Sequence, residues 1–295
     1  MNSLCILLTD SESINQDLIL KSKKKLLKSK LKKIYFIGDL KLFPKIYLLT
    51  KLNKKFLFIN QSLFKNNYIN YLKKITNKSI NLYKEKKIKY LINMPLNKKK
   101  FLEKKYLGYT ELYSFLFDKK KNENMLLYNK KFSVCPLTTH IKIKDVDKNI
   151  NKYKLINAIK NILLFSKNIL KKNYKIVVLG LNPHASIDMK SNTKDAKVVR
   201  PIVLNLLKKK IDIQGPISAD TAFLKTSNKI YLGMYHDQVL IPFKMRNAFN
   251  GINITIGKKL IRLSPNHGTG VTLKNKINKI DNKSFLECIK FCEKH

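Results

Sequence analysis

Short apolar runs that stop abruptly at polar loops alternate with lysine-rich stretches whose apolar residues recur at helical spacing. Leu4 to Leu8, Ile34 to Ile37, Phe56 to Ile59 and Ile88 to Ile92 read as buried strands, and Ile14 to Leu31 between them reads as helix. This alternation constrains the chain to an α/β fold with a largely parallel sheet, because each crossover helix covers a face of the strands it joins. Further on, Asp145 to Lys172 reads as a long amphipathic helix leading into the run Lys175 to Leu181. Pro201 to Lys210 and Ser284 to Lys294 read as shorter helices.

The 295 residues are enough for one large core or two smaller ones. A formal net charge of +42 invites a nucleic-acid reading. Against it, only Arg200, Arg246 and Arg262 among 61 basic residues are arginine. Base edges and phosphate forks favour the planar guanidinium. Lysine, asparagine and isoleucine are abundant while glycine and proline are scarce, which points to codon bias, so the lysines are expected on solvated faces. No specific nucleic-acid partner is expected. Cys5, Cys135, Cys288 and Cys292 form no Cys-x-x-Cys pair and are expected as free thiols in a reducing compartment. No run approaches the roughly 18 apolar residues of a membrane span, and Leu4 to Leu8 is too short for a signal sequence. A cytoplasmic protein with no membrane partner is expected.

Three of the 5 histidines occupy matching positions. The run Phe132 to Leu137 leads into Thr138-Thr139-His140. Lys175 to Leu181 leads into Asn182-Pro183-His184-Ala185, and Ile230 to Tyr235 leads into His236-Asp237-Gln238. Ligands of open α/β sheets bind at the carboxyl ends of strands. Three imidazoles converging there would suit a divalent cation such as Zn²⁺ and leave a coordination position for a substrate oxygen.

The motifs recur in a recognisable order. Met94-Pro95-Leu96-Asn97-Lys98 and Gly108-Tyr109-Thr110-Glu111 precede Thr138-Thr139-His140. Then follow Gly180-Leu181-Asn182-Pro183-His184-Ala185, Gly215-Pro216-Ile217-Ser218-Ala219-Asp220-Thr221 and Met234-Tyr235-His236-Asp237-Gln238. Gly251-Ile252-Asn253-Ile254-Thr255-Ile256-Gly257, Ile261-Arg262 and Asn266-His267-Gly268-Thr269 complete the set. This ordered series closely resembles the 4-hydroxythreonine-4-phosphate dehydrogenase family of vitamin B6 biosynthesis.

The resemblance implies a two-lobed α/β/α fold with a largely parallel sheet, similar to the isocitrate and isopropylmalate dehydrogenases. The lobes are expected at residues 1–131 with 237–295, and 132–236. It also implies a homodimer with shared active sites, NAD or NADP as cofactor, and a divalent metal (Zn, Mg, Mn or Co). The expected reaction oxidises 4-phosphooxy-L-threonine at its C3 hydroxyl and then releases CO₂, giving 3-amino-2-oxopropyl phosphate. The metal ligands would be His140, His184 and His236. Substrate contacts would fall on Tyr109, Thr110, Lys244, Asn253 and Arg262, with Lys98, Asp220, Asp237 and His267 as further candidates. An arginine kept on a lysine-rich chain fits a need for a bidentate fork.

The chain departs from the family at several of these places. Tyr109 stands where the family has histidine, and it can donate a hydrogen bond but carries no positive charge near neutral pH. Ser186-Ile187-Asp188-Met189 replace Gly-Glu-Gly-Gly, Asn266 replaces an acid, and Thr9 to Asp17 replace a Gly/Pro-rich loop. No Gly-x-Gly-x-x-Gly fingerprint follows a strand. Competing readings are a threonate or erythronate 4-phosphate dehydrogenase, a three-histidine metal hydrolase, and a basic nucleic-acid-binding protein.

Overall fold

The computed structural model describes residues 2–103, 105–120, 122–189, 192–224 and 228–295. Its strands are β1 (Leu4–Leu7), β2 (Ile34–Gly38), β3 (Phe56–Asn60), β4 (Tyr90–Asn93), β5 (Asn124–Tyr128), β6 (Ser133–Thr138), β7 (Lys175–Leu179), β8 (Ile213–Ile217), β9 (Lys229–Tyr235), β10 (Ile252–Ile256) and β11 (Ile261–Pro265). The chain divides into two compact units: Met1–Lys121 with Phe249–Ile254 and Lys258–His295, and Asn122–Ala248 with Thr255–Gly257.

In the first unit the strand order is β3-β2-β1-β4-β11-β10. β1 pairs in parallel with β2 (Leu4↔Ile34) and with β4 (Leu4↔Tyr90), and β4 pairs in parallel with β11 (Tyr90↔Ile261). All four residues of β1 are buried, as a central parallel strand covered on both faces requires. The helix Tyr68–Lys84 starts where the Asn67 side chain accepts the Asn70 N–H at 3.0 Å. It turns Ile69, Leu72, Ile75, Thr76, Ser79 and Ile80 inward at helical spacing. Lys283–Lys294 buries Phe285, Cys288, Ile289 and Cys292 in the same way.

In the second unit the order is β5-β6-β9-β7-β8. β5 runs antiparallel to β6 (Leu127↔Val134), and the β6-β9, β9-β7 and β7-β8 pairs are parallel. Phe132, Tyr231, Val239 and Phe243 form its core, with the Phe132 and Phe243 rings stacked 6.0 Å apart.

The unit boundaries differ from the lobes expected at 131/132 and 236/237. β5 joins the second unit through its pairing with β6. The helix His236–Asn247 joins it by seating Val239 and Phe243 in that core. The single helix expected from Asp145 to Lys172 is also interrupted. Asn151 is extended (φ −143°) and its side chain caps a new helix, Lys152–Phe165, by accepting the Lys154 N–H at 2.9 Å. Ile14 to Leu31 likewise resolves into Asn15–Lys21 and Lys23–Lys28, joined at Ser22. The four cysteines are free and buried. Among the described residues no helix is long and apolar enough to cross a membrane.

Candidate active site

The second unit carries all three strand-end histidines, and its topology explains their neighbourhood. β9 lies between β6 and β7, and all three strands run in parallel. Their carboxyl ends therefore share one edge. His236 is the first residue of the helix that follows β9, His140 lies just past β6, and His184 lies just past β7. Two hydrogen bonds fix the edge. Thr138 Oγ1 donates to the Met234 carbonyl at 2.7 Å, tying β6 to β9. Gln238 accepts the Met234 N–H at 2.7 Å and donates to the Gly180 carbonyl at 2.7 Å, tying β9 to the loop after β7.

The structure brings two of the three imidazoles together. The His140 and His236 rings lie 5.7 Å apart and share a cavity of about 170 Å³ with Thr138, Thr139, Tyr235 and Asp237. His184 does not line that cavity, and its Nδ1 lies 2.7 Å from the Asp188 carboxylate. Among the described residues no group of three acidic, cysteine or histidine side chains is arranged to hold a metal ion. The donor chemistry nonetheless fits a divalent cation. His236 Nδ1 lies 2.6 Å from the Asp237 carboxylate, so both His184 and His236 engage a carboxylate through Nδ1 and leave Nε2 as the donor atom. The hydrogen bond and charge of Asp188 raise the His184 pKa, and Asp220 adds to this from further off. Asp220 is exposed, and the Ser218 hydroxyl helps to hold its carboxyl below the usual range.

The loop bearing His184 is strained. His184, Ala185 and Ser186 have φ of 51°, 51° and 57°, three consecutive residues in the left-handed region. Such positions cost non-glycine residues about 1–3 kcal/mol each. Gly180 makes room for the fold-back, since a Cβ there would lie 2.6 Å from Ala185 Cα. The stabilising group is Asp195, which is 0% exposed. Its carboxylate accepts Leu181 N–H at 2.7 Å, Asn182 N–H at 3.1 Å, Asn182 Nδ2 at 3.2 Å and Ser186 Oγ at 2.7 Å. Hydrogen bonds to a charged group contribute about 1.5–3 kcal/mol each, a sum comparable to the strain.

The first unit carries a different constellation. Arg262, on β11, is 3% exposed. Its Nε donates to Asn93 Oδ1, its Nη1 donates to Thr110 Oγ1 at 3.2 Å, and its guanidinium lies 5.1 Å from the centre of the Tyr109 ring. Burial draws its pKa down to about 10, so it remains a cation at neutral pH. Asn253, on β10, has its Oδ1 buried without a partner. Tyr109 is 5% exposed, with its hydroxyl 2.9 Å from Thr76 Oγ1 and its ring stacked on Tyr113. The Tyr109 hydroxyl thus makes an internal hydrogen bond, and its ring lies against the Arg262 guanidinium.

The remaining candidates are spread over both units. Lys244 belongs to the second unit, on the helix His236–Asn247, where partial desolvation of its ammonium draws its pKa down although the residue as a whole is exposed. Lys98 is exposed at the first position of the short helix Lys98–Leu102. His267, in the first unit, has Nδ1 at 2.9 Å from the Gly268 carbonyl. Asp188, Asp195 and Gln238 were not singled out in the sequence as site residues. Gln238 closes the Met234-Tyr235-His236-Asp237-Gln238 motif, but Asp195 sits 13 residues beyond Asn182 with no pattern around it.

These features define a two-unit α/β protein with polar groups gathered at its strand ends and a buried guanidinium in one unit. The chain belongs to the family of the pyridoxal phosphate biosynthetic protein PdxA, whose family model matches residues 20–292. It is 38% identical over 209 residues to the 4-hydroxythreonine-4-phosphate dehydrogenase of Sulfurihydrogenibium sp., a match covering 70% of this chain and 64% of that protein. The chain thus spans just under two thirds of that relative's length. The crystal structure of 4-hydroxythreonine-4-phosphate dehydrogenase from Klebsiella pneumoniae shares the fold, with a TM-score of 0.79 at 22% identity over 99% of this chain and 98% of that one. Isocitrate dehydrogenase from Methylococcus capsulatus shares it at a TM-score of 0.55 and 10% identity, over 98% and 84% of the two chains.

Proposed function

We propose that this chain is a 4-hydroxythreonine-4-phosphate dehydrogenase of pyridoxal phosphate biosynthesis. It would oxidise the C3 hydroxyl of 4-phosphooxy-L-threonine with NAD⁺ or NADP⁺ as hydride acceptor, and CO₂ loss would give 3-amino-2-oxopropyl phosphate. The observation that carries this reading is the family match across residues 20–292 on a chain whose imidazoles stand at one edge of three parallel strands.

In this reading Arg262 and Lys244 bind the anionic groups of the substrate, Thr110 braces the Arg262 fork, and the open Oδ1 of Asn253 accepts a substrate hydrogen bond. His140, His184 and His236 would hold a divalent cation, which lowers the pKa of a bound alcohol and withdraws electrons from a carbonyl. Only two of these rings meet within the chain, so a homodimer in which a second copy completes the set is part of the proposal. Asp188 and Asp237 keep their imidazoles oriented.

The test follows NAD(P)H absorbance with 4-phosphooxy-L-threonine and added Zn²⁺, Mg²⁺, Mn²⁺ or Co²⁺. Metal-dependent reduction of either dinucleotide is expected. Turnover of threonate or erythronate 4-phosphate in its place would move the chain to that sister activity. Hydrolysis of phosphate esters without dinucleotide reduction would overturn the dehydrogenase reading.

A further inference from the structure

His184 stands on a loop that its own sequence disfavours. Three consecutive non-glycine residues, His184, Ala185 and Ser186, are left-handed. Ser186-Ile187-Asp188-Met189 follow, with no glycine among them to ease the turn. Something outside the loop must therefore hold it. The buried Asp195 carboxylate reaches both ends of the turn: it accepts the backbone N–H groups of Leu181 and Asn182 where the loop opens, and the Ser186 hydroxyl where it closes. Asn182 Nδ2 bridges the same groups, donating to Asp195 at 3.2 Å and to Ser186 Oγ at 3.1 Å. A second clamp comes from Arg200, whose Nη2 donates to the Ala185 carbonyl at 3.1 Å. Asp195 opens the helical turn Asp195–Val199 and Arg200 opens the helix Arg200–Lys208 that follows it directly. One helical segment thus supplies both clamps from below the loop, while His184 itself remains on the exposed side.

We infer that Asp195 is a positioning residue, whose carboxylate holds the Asn182–Ser186 turn in the conformation that presents His184 and so sets the affinity of that imidazole for a divalent cation. The inference rests on the metal-binding reading proposed above. It does not require Asp195 to touch the cation or the substrate. A carboxylate suits the role because it only accepts, and all four groups it meets are donors. An amide of the same shape would turn its NH₂ toward some of those donors.

The experiment titrates Co²⁺ alone into the full-length metal-free protein by calorimetry and follows the visible Co²⁺ absorption, which reports ligand number and geometry. Asp195→Asn should weaken Co²⁺ binding about 10- to 100-fold, the range typical of outer-shell partners, and should alter the absorption band. Ser186→Ala, which removes one of the four contacts, should weaken binding less and keeps the test open if Asp195→Asn does not fold. His184→Ala sets the limit expected when that imidazole is lost. The affinity of the metal-free protein for the phosphorylated substrate should stay within about twofold, which separates positioning of one ligand from general damage. Folded Asp195→Asn and Ser186→Ala proteins that bind Co²⁺ with wild-type affinity and spectrum would overturn the inference alone. Wild-type protein that takes up no Co²⁺ would overturn the metal reading, and the inference with it.

Discussion

The two units place their polar groups by opposite means. In the second unit the imidazoles sit just past strand ends, and those of His184 and His236 meet the carboxylates of Asp188 and Asp237 through Nδ1, with His184 and Asp188 side chains 66% and 70% exposed. In the first unit the guanidinium of Arg262 sits inside, 3% exposed, fixed by Asn93, Thr110 and the Tyr109 ring. The contrast matches the roles proposed for the two groups. An imidazole that serves as a metal ligand must be neutral and must keep Nε2 open, so it belongs at an accessible strand end. A guanidinium that recognises an anion gains strength when desolvated, because a charge-assisted fork is worth more where water does not compete. One unit spends backbone strain on reach; the other accepts a buried charge for strength.

The largest effect is expected where that buried charge is altered. Arg262→Lys keeps the charge but removes the planar fork and its contacts with Asn93 and Thr110. Losing such a charge-assisted contact costs about 1.5–3 kcal/mol, or roughly 10- to 150-fold in kcat/KM. Co²⁺ affinity should not change, because the second unit supplies the imidazoles. Steady-state kinetics that left both KM and kcat within about twofold of wild type would break the assignment. Weakened Co²⁺ binding in the same variant would instead break the division of labour between the units.

The same burial predicts a pH dependence. Arg262 is protonated below about 10 and loses its proton above it, whereas an ordinary arginine stays charged to well above 12. Anion affinity should therefore hold through neutral pH and fall as pH rises toward and through about 10, where Lys244, its pKa drawn down by partial desolvation, and then Arg262 lose their protons. Binding of the phosphorylated substrate to metal-free protein, measured by calorimetry up to that range, checks the sign. Affinity that rose on alkalinisation would contradict the role given to Arg262.

A smaller effect is expected at Gly180. A Cβ there would meet the Ala185 backbone at 2.6 Å, so Gly180→Ala must displace the loop that carries His184. Co²⁺ affinity should drop on the order of tenfold, while substrate binding by the metal-free protein should change little. If Co²⁺ affinity were untouched, the loop conformation would not matter to the ligand.

Much of this was legible in the sequence, for identifiable reasons. β1, β2, β3 and β4 were readable because buried parallel strands are continuous apolar runs. The strand-end placement of His140, His184 and His236 was readable because each follows such a run. The supports were not. Asp195 is remote from the loop it holds and reads as one acid among surface lysines, since a buried carboxylate is defined by the donors that fold around it. The break at Asn151 was missed because an apolar period continues across it, and only the capping geometry interrupts the helix. The lobe boundaries shifted because β5 and the helix His236–Asn247 are assigned by what they pack against, which local pattern does not reveal.

Tyr109 is where the sequence and the structure diverge most usefully, and the smallest effect is expected there. The family resemblance implies a histidine at this position, so the sequence alone leads to the expectation of a lost positive charge that Tyr109→His restores. The structure places the hydroxyl against Thr76 Oγ1 at 2.9 Å and the ring beneath Arg262. Tyr109→Phe keeps the ring and loses one neutral hydrogen bond, worth about 1 kcal/mol, so KM should stay within about twofold. The midpoint of thermal unfolding should fall by about 2–4 °C. Thr76 Oγ1 still donates to the Leu72 carbonyl at 2.7 Å, which limits the damage. In Tyr109→His the imidazole would lie buried beside a guanidinium. Burial and a like charge both disfavour its protonation, so acidification should not convert it into an anion-binding group. The ratio of KM between this variant and wild type should therefore be flat from about pH 5.5 to 8. A ratio that fell below one as pH dropped under about 6.5 would show that residue 109 reaches the substrate. The aromatic floor assigned here to Arg262 would then have to give way to a direct contact.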